Sequence, residues 1–123
     1  VRGMCALRPG VPGLSDNIRV RSVIGRLLEH ARVYYFYNGG AEDVYIASAD
    51  WMGRNFFNRI ETATPVLDPA LKARVIREGL ELALADTAKA WQMDGDGSYH
   101  RIRPAQGEAP AGVQETLLAE YAC

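Results

Sequence analysis

The chain has 123 residues, about half of them apolar and a quarter charged, with a net charge of −1. That balance fits one soluble globular domain able to bury a core, and it excludes extended disorder. No apolar run nears the roughly 20 residues that span a bilayer, and two cysteines, Cys5 and Cys123, give no zinc spacing and no secreted-type disulfide framework.

Taken in chain order, Val1–Leu7 reads as a strand. It carries no signal-peptide pattern and looks like the inside of a longer sequence, which predicts that the chain is a piece of one. The run Pro9-Gly10-Val11-Pro12-Gly13 must be a loop, because proline fixes φ and glycine permits turns. Val20–Glu29 reads as a helix: Val20, Val23, Ile24, Leu27 and Leu28 fall at spacings of three and four, with Ser15, Asp16 or Asn17 available as its cap. Arg32–Tyr37 is β-branched and aromatic, Asn38-Gly39-Gly40 is a turn signal, and Asp43–Ala47 returns, so residues 32–48 predict a hairpin. Ser48–Arg54 reads as a loop or short helical turn in which Trp51 and Met52 belong to the core. Arg59–Val66 reads as a strand ending near Pro65. Asp68-Pro69 opens the clearest helix, running to about Ala85, since Asp caps well and Pro suits the first helical position. A short strand over Thr87–Met93, a turn over Asp94–Gly97, a strand over Tyr99–Arg103 and a helix from Val113 to Tyr121 complete the series. Alternating strands and helices predict an α/β fold of α+β layers, a mixed β-sheet with flanking helices, organised as a single domain over 1–123.

Charge is unevenly spread. Residues 1–59 hold eight arginines against five acids, and residues 60–123 hold six bases against ten acids. A basic half made wholly of arginine suggests an anionic ligand, because the guanidinium fork matches phosphate oxygens in pairs. A solvated surface explains the same count. No phosphate-loop motif, GxGxxG or HExxH is present, and the Asp94–Gly97 run lacks the acidic residue an EF-hand needs, with Ala105 in its place.

There are two histidines. His100 reads as a surface residue. His30 is expected to close the first helix, where a protonated imidazole is favoured by the helix dipole. The hairpin gives it a second reading. The first residues of one strand lie beside the last residues of its partner, so His30, Arg32, Ser48 and Asp50 should converge, with Asn55 following. A histidine, a cation, a hydroxyl and an amide brought together make an oxyanion site: the histidine moves a proton or takes a phosphoryl group, and the cation balances developing charge.

The layout is similar to the HxK…GSxN half-site of the phospholipase D superfamily, with Arg32 for the lysine and Ala47-Ser48-Ala49-Asp50 for Gly-Ser-x-Asn. Over a longer stretch the chain resembles the C-terminal domain of bacterial polyphosphate kinase, type 1. The blocks that carry this are Val1-Arg2-Gly3-Met4-Cys5, Asp16–Val20, Ser22–His30, Asn38-Gly39-Gly40, Ser48–Met52, Arg54-Asn55, Arg59-Ile60-Glu61 and Pro65–Pro69. Phe56-Phe57-Asn58 departs from the family's usual Leu or Ile followed by Asp.

The resemblance implies a phospholipase D-like half and reversible transfer of the terminal phosphate of ATP to inorganic polyphosphate, through a phosphohistidine carried by the preceding domain. It implies His30 as catalytic residue and nucleotide contact and Arg2 as a second nucleotide contact; the hairpin reading adds Arg32 as a phosphate contact, with Ser48, Asp50 and Asn55 in support or, alternatively, simply forming the turn. The resemblance implies ATP and ADP as substrates, Mg2+ in the parent enzyme with no ligands in this segment, and the preceding domains as partners. It further implies a homo-oligomeric, cytoplasmic parent at most peripheral to the membrane, with no nucleic acid partner, and an isolated segment that does not turn over. Two rivals stand beside it. One is a phospholipase D-like phosphodiesterase half that pairs two copies, and the other is a non-catalytic polyanion-binding module.

Overall fold

A computed structural model describes residues 1–122; Cys123 lies outside the described residues, and with it any pairing to Cys5. The chain divides into two compact units, one made of Val1–Glu29 with the chain from Leu82 onward, the other of His30–Glu81. The α/β class holds, and each unit carries its own three-stranded antiparallel sheet.

In the central unit, β2 (Val33–Phe36), β3 (Asp43–Ala47) and β4 (Ala63–Pro65) pair in that order. Val33 faces Ile46 and Tyr45 faces Pro65 in the ladder. The β2–β3 hairpin forms where it is predicted. Asn38, Gly39 and Gly40 turn it with φ of 44°, 63° and 97°, which suits glycine and asparagine. The Asn38 amide donates to Asp43 at 2.7 Å and closes the loop. Helix α1 (Gly53–Asn58) follows the second strand. Helix α2 (Pro69–Ile76) begins as predicted, with Asp68 accepting from the Leu71 N–H at 2.9 Å. It continues through a π-turn over Arg77–Glu81. There, a Cβ on Gly79 would lie 2.9 Å from the Val33 methyl, so close approach explains the glycine.

In the other unit, β1 (Val20–Val23), β5 (Ala90–Met93) and β6 (Tyr99–Arg101) pair in that order. Helices α3 (Leu82–Ala85) and α4 (Val113–Tyr121) pack with them around Val23, Ala90 and Val113, joined by Leu82, Ala83, Ile102 and Leu117. Asp86, 1% exposed, ties this core together by accepting from Lys89 N–H at 2.6 Å and Val113 N–H at 2.9 Å.

Three expectations fail here. Val20–Glu29 is not a helix. Its first four residues form β1, where Val20 and Val23 are buried, while Ile24, Leu27 and Leu28 are exposed. β-branched residues favour the ladder against β5, and the following backbone bonds to a side chain. Gln114 accepts from Leu27 N–H at 2.9 Å and donates to Leu27 O at 2.8 Å. Ser15 and Asp16 therefore cap nothing; they close the loop, accepting from the Val11 and Gly13 N–H groups. Val1–Leu7 is not a strand either: none of its residues enters a ladder. Trp51 and Met52 are exposed rather than core. The Trp51 ring lies 6.0 Å from Tyr34 and 6.2 Å from Phe56, and its N–H donates to the Tyr34 hydroxyl at 2.7 Å, leaving the rest of the ring outward.

Candidate active site at the open end of the central hairpin

The central sheet continues one rung past β2, where Ala47 N–H donates to Arg32 O at 2.9 Å. That rung brings the approach to β2 beside the exit from β3. His30, Arg32 and Tyr34 alternate along extended chain, so their side chains share one face. His30 thus sits in the extended lead into β2, not at the end of a helix as expected.

Arg32 is the centre of the cluster. Its Nε donates to Asp50 Oδ1 at 2.9 Å and its Nη2 lies 2.8 Å from the same oxygen. Its Nη1 and Nη2 lie 3.0 and 3.1 Å from Nδ1 and Nε2 of His30. Guanidinium carries only donors, and a neutral imidazole has only one acceptor nitrogen. Only one of the two contacts can therefore be a hydrogen bond to a neutral ring, and the other is a close approach of a donor to an N–H. His30 is exposed, Arg32 half-buried and Asp50 half-buried.

The chain after β3 is held from three sides. Arg32 takes the Asp50 carboxylate, the Tyr34 hydroxyl reaches the Ala49 carbonyl at 3.4 Å, and Asn55 Nδ2 donates to the Asp50 carbonyl at 3.1 Å. Asn55 is 3% exposed and its Oδ1 meets no donor among the described residues. Asp50 reaches His30 through Arg32 rather than directly. Ser48 turns elsewhere, accepting from Thr62 N–H at 3.0 Å and donating to Glu61. Arg2 belongs to the other unit, on the rim of an open, mainly apolar hollow with Met4, Trp91 and Tyr99.

The sequence reading missed Tyr34, although its place two residues after Arg32 marks it as the next side chain on that face. It also missed Gln114, whose Nε2 donates to Glu29 at 2.8 Å and fixes the backbone that leads to His30. No local pattern signals that contact. Among the described residues no group of three or more His, Cys, Asp or Glu side chains gathers as a metal site. The carboxylate of this cluster is already taken by Arg32, so the residues present do not fit a Mg2+ cage.

Similarity to known proteins covers nearly the whole chain. The family model "Polyphosphate kinase C-terminal domain 2" matches residues 1–114. A polyphosphate kinase of Neisseria gonorrhoeae is 68% identical over 117 residues, 95% of this chain and 17% of that protein. One from Burkholderia cenocepacia is 58% identical over 121 residues, 98% of this chain and again 17% of the relative. The crystal structure of polyphosphate kinase from Porphyromonas gingivalis superposes with a TM-score of 0.88 at 43% identity, covering 96% of this chain and 18% of that one. The chain therefore spans about a sixth of the length of these relatives.

Proposed function

Because the chain belongs to the polyphosphate kinase family, we propose that residues 1–123 act as one domain, the last, of a longer enzyme that reversibly transfers the terminal phosphate of ATP to inorganic polyphosphate. The observation that carries the reading is the cluster of His30, Arg32 and Asp50, an exposed imidazole held against a carboxylate-anchored guanidinium.

In this reading the γ-phosphorus leaves the β–γ bridging oxygen of ATP for a histidine of the preceding domain. It then passes to the terminal oxygen of polyphosphate. Such a transfer is catalysed by positioning and charge compensation more than by bond-making from the protein. Arg32 and Arg2 neutralise phosphate oxygens. Both ring nitrogens of His30 lie against Arg32, so the imidazole turns from the guanidinium to give an N–H to a phosphate oxygen, a motion its exposed position allows. Protonated, it places two cations about one hydrogen-bond length apart, an arrangement a phosphate compensates better than one carboxylate does. His30 thus supplies a proton or positive charge when the bridging oxygen becomes the leaving group, and takes the proton back in reverse.

Asp50 and Asn55 are positioning residues. Asp50 orients Arg32, and Asn55 holds the turn that carries Asp50. Ser48 stabilises the same end of the sheet through Glu61. Mg2+ accompanies the nucleotide and takes its protein ligands from elsewhere in the longer chain. The parent is a cytoplasmic homo-oligomer, and the segment alone does not turn over. No helix among the described residues is long and apolar enough to cross a membrane.

The test is His30→Ala in the full-length enzyme. Turnover from ATP to polyphosphate should fall by at least about a thousandfold, the upper range for a general acid–base group combined with charge stabilisation, while the fold is kept. Turnover within about tenfold of the parent enzyme would refute the role.

A further inference from the structure

A second cationic feature lies in the unit that lacks His30. An open groove of about 700 Å³ runs past the chain entering β5, the end of β6 and the start of α4. Lys89, Arg101 and Arg103 line it, and Glu115 is the one acidic residue in the lining.

Two strand ends meet at this groove. Trp91 faces Arg101, and Ile102 N–H bonds to Ala90 O at 2.9 Å. Lys89 and Arg103 lie just outside β5 and β6 and line the same groove as Arg101. Like charges gathered in one place repel, and none of the three is in an ion pair among the described residues. Glu115 is turned to the start of its own helix, where a Cβ on Gly112 would overlap its carboxylate oxygen. Arg101 is held in place by donating to Ala88 O. A concentration of positive charge the fold does not neutralise is the arrangement an anionic ligand completes.

We propose that this groove binds inorganic polyphosphate, as a polymer contact separate from the His30 cluster; the polymer's identity rests on the kinase reading above. None of the lining residues is aromatic, so the groove offers no stacking platform for bases, which single-stranded nucleic acid sites use. A linear chain with one charge per phosphate needs only spaced cations. Glu115, beside them, limits the affinity.

The experiment is titration calorimetry of the full-length enzyme with polyphosphate of defined length, over a range of salt. Lys89→Gln with Arg103→Gln, which leaves the Arg101 backbone contact intact, should weaken binding about tenfold and flatten the log-affinity against log-salt slope by roughly 1.4, two cations at about 0.7 each. Glu115→Gln should tighten it severalfold. Lys72→Gln, a cation outside both the groove and the His30 cluster, should leave binding within about twofold. Binding unchanged in the double glutamine variant, or absent in the parent chain, overturns the groove. An equal loss in Lys72→Gln overturns it while leaving the kinase reading intact. Equal competition by single-stranded DNA of matched charge overturns the choice of ligand. Failure of the kinase reading shows separately, as full turnover by His30→Ala enzyme.

Discussion

Asn55→Ala separates a positioning role from a structural one. The amide is 3% exposed, and its Nδ2 donates to the Asp50 carbonyl at 3.1 Å. Losing that hydrogen bond costs about 1 kcal/mol net. The Asp50 carbonyl is not orphaned, because Met52 N–H also donates to it at 2.8 Å. Trimming the amide to a methyl removes packing worth about 1–2 kcal/mol. Against these losses, Oδ1 is buried without a donor among the described residues, and removing it recovers about 1–3 kcal/mol of desolvation. The terms nearly cancel, so urea unfolding of the 123-residue chain should place Asn55→Ala within about 1 kcal/mol of the parent. In the full-length enzyme the same variant should lose about tenfold in turnover, since the turn that aims Asp50 at Arg32 is loosened. A stability loss of 3 kcal/mol or more would show that Oδ1 does hold a partner, and unimpaired turnover would refute the positioning role.

Gly79→Ala should cost about 1–3 kcal/mol by overpacking, because its new Cβ would sit 2.9 Å from the Val33 methyl; Val33→Ala in the same chain should recover much of it, and strict additivity in a double-mutant cycle would sink this account. Gln114→Ala should cost about 2–3 kcal/mol, since it unpairs the Leu27 N–H and carbonyl and frees Glu29, while Gln114→Glu should recover the bond from Leu27 N–H only; unfolding midpoints read both. Ser98 holds the Asp96 carboxyl below its ordinary value by donating from hydroxyl and backbone N–H. A depressed carboxylate stabilises above its unfolded pKa and loses that contribution as pH falls through the folded one. Ser98→Ala should move the Asp96 midpoint upward in an NMR titration, and an unmoved midpoint would contradict the assignment.

What could be read locally was read correctly. Asp68-Pro69 carries its own cap and start, Asn38-Gly39-Gly40 its own turn, and Val113–Tyr121 its own boundaries. β1 was not legible because Val20, Val23, Ile24, Leu27 and Leu28 satisfy a helical period, and only the distant strand Ala90–Met93 decides otherwise. The same division runs through the site. His30 and Arg32 share a face by simple alternation, and the hairpin brings Asp50 to them. The partner of Ser48 depends on β3 pairing with β4, which no motif announces. Trp51 was misplaced because its hydrophobicity says nothing of the Tyr34 hydroxyl that holds its N–H at the surface.

Net charge by half-chain is a coarse guide: the cluster of His30 and Arg32 falls in the arginine-rich half, and the groove cations fall in the acidic one. In the arginine-rich half, Arg8 donates to Gly95 O at 2.6 Å and Arg21 donates to Leu84 O. These guanidiniums are tied to carbonyls at separate places, so their number alone marks no site. The acidic half holds Lys89, Arg101 and Arg103 in one groove, with a single carboxylate in its lining. On the groove proposal, it is this local gathering of cations, and not net charge, that selects an anion. A charge-swapped chain with Lys89 and Asp94 exchanged would keep the composition and net charge of the half unchanged. It would still remove one groove cation, and polyphosphate affinity should fall severalfold with a salt slope shallower by roughly 0.7. If affinity instead followed net charge, the exchange would leave it unchanged, and the groove argument would be wrong.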